Sequence, residues 1–566
     1  MSAPRPSVDR VAAALYGLGS ALFGTCAALS YRRHIHVDEV SGLYSIQLVA
    51  AFRHANFAAI ELCQVLFAPL ARCLGASSER LFTGFRWLEL AWLLTLCVSL
   101  SRAQRAWSSA PGKAAVFFAA VCFGPLWRHG FELRHDMFVA FEVVLLLWAL
   151  ERARERRLTW LAASAAAFGS VLVQANSSKA FVLWVPALFC CALLSVRGER
   201  PWLSALFWRV LAFLPGFLAG LALVAGVLGL AGALGDYLAQ LTAFTHFSSS
   251  PPYRLHALPL LWFAIERAPV HALFVALGLL SVLVKVLRRK DLGGAWGPTI
   301  VFGLAGLALA ANPTPFPYNL TWLSPAWLAM SAVGASFCFE LVRRAPRGKQ
   351  WALLLAALTA ALCLNSFARC EADPYYRKNW DGQLRVIAAA EALTAPDEPV
   401  LDLTGLVVSR PPVAKDWVVH SLFMPAYHAG MRETVRHIIR RVWPPVAITV
   451  YRWGFLDRAD LLELRRNYVP FSSDVWTLGS IVYPSTTELE VHRDGRYTAR
   501  GAGDLGTLDG QPLRAGDVLL LTRGKHAVAS NTSYTLAWLG PAPVSTQSPP
   551  GAQPLFENGE FRGQRD

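Results

Sequence analysis

Two adjacent carboxylates, Asp38 and Glu39, stand in the run His34-Ile-His-Val-Asp-Glu39, just past the first membrane-length apolar stretch. Charge so near hydrocarbon is costly and is usually kept for function. A carboxylate in a partly desolvated cleft can act as general base toward a hydroxyl, although an acidic pair can also simply mark where a helix leaves the membrane. A second group is Arg134-His-Asp136. An acid entering a helix is favoured by the macrodipole, so Asp136 has a bland explanation beside a chemical one. In Gln174-Ala-Asn-Ser-Ser-Lys179 the lysine is the only basic residue of a short loop, able to snorkel to headgroups or to meet a lipid-linked phosphate. His246 and Arg254 add polar groups in a later loop, and His34 and His36, two apart, resemble part of a metal site. No second histidine cluster accompanies them, so a divalent cation stays an open cofactor.

These groups need elements to carry them, and the 566 residues supply a polytopic α-helical membrane protein, with mean hydropathy +0.38. Eleven spans are expected: 11–31, 86–101, 114–127, 136–150, 158–175, 178–196, 206–234, 268–287, 296–311, 318–340 and 351–368. The block at 206–234 can hide a kink. The first run has a signal-peptide flavour but lacks a clear cleavage site, and is read as an uncleaved helix. The net charge of +15 does not call for nucleic acid: residues 1–370 hold 32 Lys and Arg against 16 Asp and Glu, and residues 371–566 hold 21 against 22. The excess clusters in alternate loops, as the positive-inside rule requires for a cytoplasmic N-terminus and an extracytoplasmic C-terminal region of a plasma (inner) membrane protein.

Residues 1–369 are therefore expected to form the membrane domain, with long outer loops at 32–85 and 235–267 that hold interfacial helices. Residues 370–485 alternate helix and strand patterns and predict an extracytoplasmic α/β domain. Residues 486–542, broken at Asp494-Gly495 and Asp509-Gly510, predict a small β module, and 543–566 a flexible tail. All ten cysteines lie at or before Cys370. Cys63 and Cys73 can pair, but small buried residues are the better reading. The string Gly501-Ala-Gly-Asp-Leu-Gly506 sits in a turn-rich β region, not at a strand-to-helix turn, which excludes dinucleotide binding. Trp380, Trp417, Trp443 and Trp476 are better explained as core than as sugar platforms.

An acidic pair after the first span, an Arg-x-Asp at the head of the fourth and a lysine after the fifth resemble the GT-C superfamily of polyprenyl-phosphate-sugar glycosyltransferases, in the branch holding protein O-mannosyltransferases and the lipid A aminoarabinose transferase. Leu66-Phe-Ala-Pro-Leu-Ala-Arg-Cys-Leu-Gly75 with Arg86 downstream, and Pro315-Phe-Pro-Tyr-Asn-Leu-Thr-Trp-Leu-Ser-Pro325, match in style, so the resemblance covers roughly residues 10–340. It implies an inverting glycosyltransferase with Asp38 and Glu39 as catalytic acids, Asp38 being the preferred base. It also implies a lipid-linked sugar donor, a lipid, glycan or protein acceptor, and donor or acceptor binding by Arg86, Arg134, Asp136, Lys179, His246 and Arg254. The rivals are a transporter or flippase of lipid-linked glycans, which predicts charges buried mid-span or interrupted helices in matched halves, neither evident in the sequence, and a non-catalytic envelope assembly subunit.

Overall fold

A computed structural model describes residues 6–35, 37–52, 61–75, 77–103, 107, 109–132, 134–177, 180–197, 199, 201–239, 241, 257–312, 319–371, 380–414, 427–428, 430 and 433–540. The apolar blocks fold as helices where expected: α1 (Pro6–Tyr31), then α2 (Val37–Phe52) and α3 (Leu62–Leu74) in the first long loop, and α4 (Ser78–Ala103). The bundle continues through α5 (Ala110–Val121), α6 (Gly124–His129), α7 (Asp136–Arg154), α8 (Trp160–Gln174), α9 (Phe181–Ser195), α10 (Trp202–Leu211) and α11 (Leu214–Leu230). After α12 (Ala257–Arg267) come α13 (Pro269–Leu287), α14 (Trp296–Ala311), α15 (Asn319–Arg344) and α16 (Gly348–Glu371). Among the described residues, six stretches are long and apolar enough to cross a membrane, and further apolar helices are shorter. The block at 206–234 does hold a break, at Ala212 and Phe213 just before Pro215, whose ring has no N–H to offer the preceding turn.

One expectation is corrected inside the bundle. Glu142, in the middle of α7, is fully buried and accepts a 2.6 Å hydrogen bond from Ser170 of α8. A mid-span carboxylate is thus present, held by a single hydroxyl between two neighbouring helices. Close packing elsewhere depends on missing side chains: where α13 crosses α15, a Cβ on Gly334 would lie 1.8 Å from the Phe274 carbonyl oxygen. Gly334→Leu is therefore expected to push the helices apart and lower the melting temperature in detergent, at a cost of roughly 1–3 kcal/mol or more. A wild-type melting temperature would show that this crossing does not hold the bundle.

The two ends of the bundle differ in charge. Arg156 in the α7–α8 turn donates to the Arg197 carbonyl at 2.5 Å, and Arg197 lies 3.8 Å from Asp291 in the α13–α14 turn, so three basic turns meet at one end. At the other end the C-terminal domain docks.

That domain holds α17 (Asp381–Leu393), β1 (Val400–Asp402), α18 (Val435–Val442), β2 (Val446–Ile448), α19 (Arg458–Asn467), β3 (Tyr468–Pro470) and β4 (Val475–Val482). Seven further strands follow: β5 (Glu488–Val491), β6 (Gly495–Arg500), β7 (Asp504–Leu508), β8 (Gln511–Arg514), β9 (Val518–Leu521), β10 (Gly524–Ser530) and β11 (Tyr534–Trp538). One sheet has the order β1-β2-β4-β11-β6-β9, with β3 also on β4, and the other β5-β10-β7-β8. Because β4 pairs with β11, the sheet runs unbroken across the expected boundary at 485/486. Nor does packing respect the boundary at 369/370. Val40, Leu43, Tyr44, Phe82 and Phe85 of the first long loop and α4 share one core with Ile387, Leu401 and Leu406. Gly405, at φ +80°, lies so close to Tyr44 that a Cβ would come within 2.7 Å of its ring. The apolar face of α2 is thus covered by protein.

The Asp509-Gly510 turn closes the β7–β8 hairpin with both residues at positive φ, the geometry of a type I′ turn. Asp509 also binds His526 on β10, whose Nδ1 lies 2.6 Å from the carboxylate and whose Nε2 lies 2.8 Å from the Thr522 carbonyl. Burial works against the imidazolium, but these two acceptors outweigh it and raise the pKa of His526, while the bond from His526 lowers that of Asp509. A raised histidine pKa stabilises fully below its unfolded value of about 6.5 and is lost as pH rises through the folded one; a lowered Asp pKa stabilises above about 3.9 and is lost as pH falls. The pair therefore contributes most between about pH 4 and 6.5. Hydrogen exchange at 524–530, corrected for intrinsic rate, is expected to accelerate from pH 6 to 8.5 in the wild type and not in His526→Gln. Equal pH dependence in both would refute it.

Candidate active site

The chain between α1 and α2 leads directly into the acidic pair, and a buried arginine holds it. Arg86 of α4 places Nε 2.7 Å and Nη2 2.8 Å from the two oxygens of Glu39, a forked ion pair with both partners almost wholly buried. Its Nη1 donates to the carbonyls of Tyr31 (2.8 Å) and Arg33 (2.5 Å), and Nη2 to that of His34 (3.3 Å). All five N–H groups of a guanidinium are accounted for by these contacts. The cation also sits 4.6 Å from the Trp380 ring centroid and 5.6 Å from that of Phe131. Burying such a charge is tolerable only with this degree of pairing. Asp38 stands in the first turn of α2, beside Glu39; its side chain lies outside the described residues.

A second cluster forms at the head of α7. Arg134 Nε lies 3.2 Å from Asp136 Oδ2, and both are buried. His135 reaches Glu61 with Nδ1 (3.0 Å) and Asp136 with Nε2 (3.7 Å). Glu61 precedes α3, and the next residues tie that helix to the end of α8: Leu62 N–H donates to the Ala175 carbonyl (3.2 Å) and Cys63 N–H to Asn176 Oδ1 (2.7 Å). The first long loop thus joins the Arg-x-Asp motif to the stretch that carries Lys179. His129 and Glu132, 2.9 Å apart and buried, continue the cluster, with Glu132 4.0 Å from Arg134.

Between the clusters run Arg33, which donates to the Trp127 carbonyl (2.9 Å) and lies 5.2 Å from the Phe131 centroid, and Glu89, buried within electrostatic reach of Glu39 and Cys63. Phe131, touched by both Arg33 and Arg86, thus links the Glu39–Arg86 pair to the stretch that leads into Arg134 and Asp136. His36, Lys179, His246 and Arg254 lie outside the described residues. His34 Nδ1 faces Gln383 Nε2 at 3.5 Å. Among the described residues no three His, Cys, Asp or Glu side chains are arranged to hold a metal ion, and the carboxylates at the head of α7 are engaged by His135 and Arg134. Cys63 and Cys73 are both free thiols.

Sequence reasoning missed Glu61, Glu89, Glu132 and Gln383. For Glu61 a signal existed: it is a lone acid in the apolar run from Phe57 to Leu70. Gln383 carried none.

Solved structures place this architecture. ArnT from Cupriavidus metallidurans, in the apo state, superposes with a TM-score of 0.54 at 13% identity, over 81% of this chain and 97% of that one. The archaeal oligosaccharyltransferase AglB from Archaeoglobus fulgidus, in complex with an inhibitory peptide and a dolichol-phosphate, gives 0.47 at 12% identity, over 88% and 74%. The arabinosyltransferase EmbB from Mycobacterium smegmatis gives 0.40 at 15%, over 95% and 64%. No family model matches the chain, and no curated protein does. The ArnT likeness speaks to fold alone: the chain shares the fold of that structure, and six of its described helical stretches are long and apolar enough to cross a membrane.

Proposed function

We propose that the chain is an inverting glycosyltransferase, which moves a sugar from a polyprenyl-phosphate carrier to a hydroxyl acceptor at the outer face of the cytoplasmic membrane. The observation that supports this most is that Arg86, paired with Glu39, lies against the Phe131 ring, five residues before the Asp136 that pairs with Arg134, at one end of a GT-C-type bundle. Membership of that end in the outer face follows the charge pattern, as do eleven spans with a cytoplasmic N-terminus and an extracytoplasmic C-terminal domain.

The acidic pair divides its work. Glu39 is spent on Arg86 and anchors the segment, so Arg86 serves as its clamp and not as a phosphate ligand. Asp38 is the base: it takes the proton from the acceptor hydroxyl as that oxygen bonds to the anomeric carbon. The bond from that carbon to the phosphate oxygen breaks on the opposite face, and polyprenyl phosphate leaves with the electron pair, inverting the centre. For the growing negative charge on the leaving group the sequence offers the basic side chains Lys179 and Arg254. Asp136, set by Arg134 and His135, orients the sugar or acceptor hydroxyls.

Purified chain incubated with radiolabelled polyprenyl-phosphate sugars and cell-envelope acceptors is expected to release free polyprenyl phosphate and form a product of inverted anomeric configuration. Intact carrier across sugars and acceptors would refute the proposal.

A further inference from the structure

We propose that Gln383 is a positioning residue through which the C-terminal domain sets the backbone that presents Asp38. The inference rests on the reading of Asp38 as base. Gln383 is on the first turns of α17, some 350 residues from the acidic pair in sequence, and is 1% exposed. Ile35 N–H donates to its Oε1 at 2.7 Å, and its Nε2 donates to the Ile35 carbonyl at 2.9 Å. A primary amide thus pairs with both backbone groups of one residue, as a neighbouring strand would. Three residues earlier, Trp380 N–H donates to the Arg32 carbonyl (3.1 Å), and its ring lies edge-on to Tyr31 at 5.3 Å and under Arg86.

These contacts complete a pattern. The carbonyls of Tyr31, Arg33 and His34 accept from Arg86, that of Arg32 from Trp380, and that of Ile35 from Gln383. Five consecutive carbonyls, from the last residue of α1 through Ile35, are all satisfied, three by the membrane bundle and two by the C-terminal domain. Ile35 is buried, and stripping its two backbone groups of their partner is costly, so undocking α17 would release this end of the stretch. The domain is thereby part of the machinery that aims the base.

The test uses the full chain in detergent, with Gln383→Ala and Gln383→Glu. Losing both hydrogen bonds is expected to speed amide exchange in peptides covering 32–40 by about tenfold in Gln383→Ala, with 524–530 unchanged. Gln383→Glu, which keeps the acceptor for Ile35 N–H, is expected to fall between. With radiolabelled polyprenyl-phosphate sugar as probe, kcat per folded molecule is expected to drop about tenfold in Gln383→Ala. The acidic limb of its pH profile, which reports the base, should move, whereas a mere loss of folded protein would leave it in place. Unchanged exchange at 32–40, or faster exchange with kcat and pH profile intact, overturns the inference. A wild type that turns over no donor sinks the proposed function instead, and the exchange data still decide whether Gln383 holds this segment.

Discussion

Asp38→Asn is expected to lower turnover by about two to four orders of magnitude while donor binding is retained, the range that a positioned general base supplies. The amide is nearly the same size and keeps the hydrogen-bonding reach of the carboxylate, so what it removes is the capacity to take a proton. Because Asp38 lies in the first turn of a helix, its charge is favoured by the macrodipole, and the neutral substitute forfeits only a few tenths of a kcal/mol there. The melting temperature should therefore stay close to wild type. Turnover measured with radiolabelled polyprenyl-phosphate sugar, beside donor binding and thermal unfolding, checks this. Wild-type turnover in Asp38→Asn would remove the residue from the chemistry.

Arg86→Ala carries the largest expected effect on stability. It leaves the Glu39 carboxylate buried without its forked partner and strips three backbone carbonyls of their donor. Removing one member of a buried pair costs about 3–5 kcal/mol. Arg86→Lys keeps the charge but replaces a planar fork by a point donor, and is expected to recover only part of the loss. Arg86→Met combined with Glu39→Leu removes both charges and should be less damaging than Arg86→Ala alone, although the carbonyls stay unpaired. Melting in detergent orders the three. Should Arg86→Ala melt like the wild type, the pair would be ornamental.

Helices in this chain were legible from sequence because each is written locally, as an apolar block or a repeating pattern. The strands at 400–402, 446–448 and 475–482 and the Asp509-Gly510 turn were legible for the same reason. Lateral relations were harder. An apolar face such as that of α2 looks the same whether lipid or protein will cover it, and here Ile387, Leu401 and Leu406 do so. The break expected near 485 reflected shortening strands, yet β11 returns to pair with β4, a contact that no local pattern records.

The site divides in the same way. Glu39, Arg134 and Asp136 stood out because charge beside apolar blocks is rare. Glu61 was visible as a lone acid but had no visible partner until folding brought His135 to it. Gln383 was unreadable, since a glutamine on an amphipathic helix looks like any polar surface residue. Arg86 was legible as important, but its use depends on geometry: three short segments converge on one guanidinium.

The central claim is the division of labour within the acidic pair, and turnover per folded molecule in Asp38→Asn set beside Glu39→Gln tests it most directly. Asp38→Asn is expected to fold normally and to lose activity by about two to four orders of magnitude. Glu39→Gln should instead lower the melting temperature while its surviving folded molecules keep most of their activity. The reverse pattern, an active Asp38→Asn and a stable but inert Glu39→Gln, would contradict it.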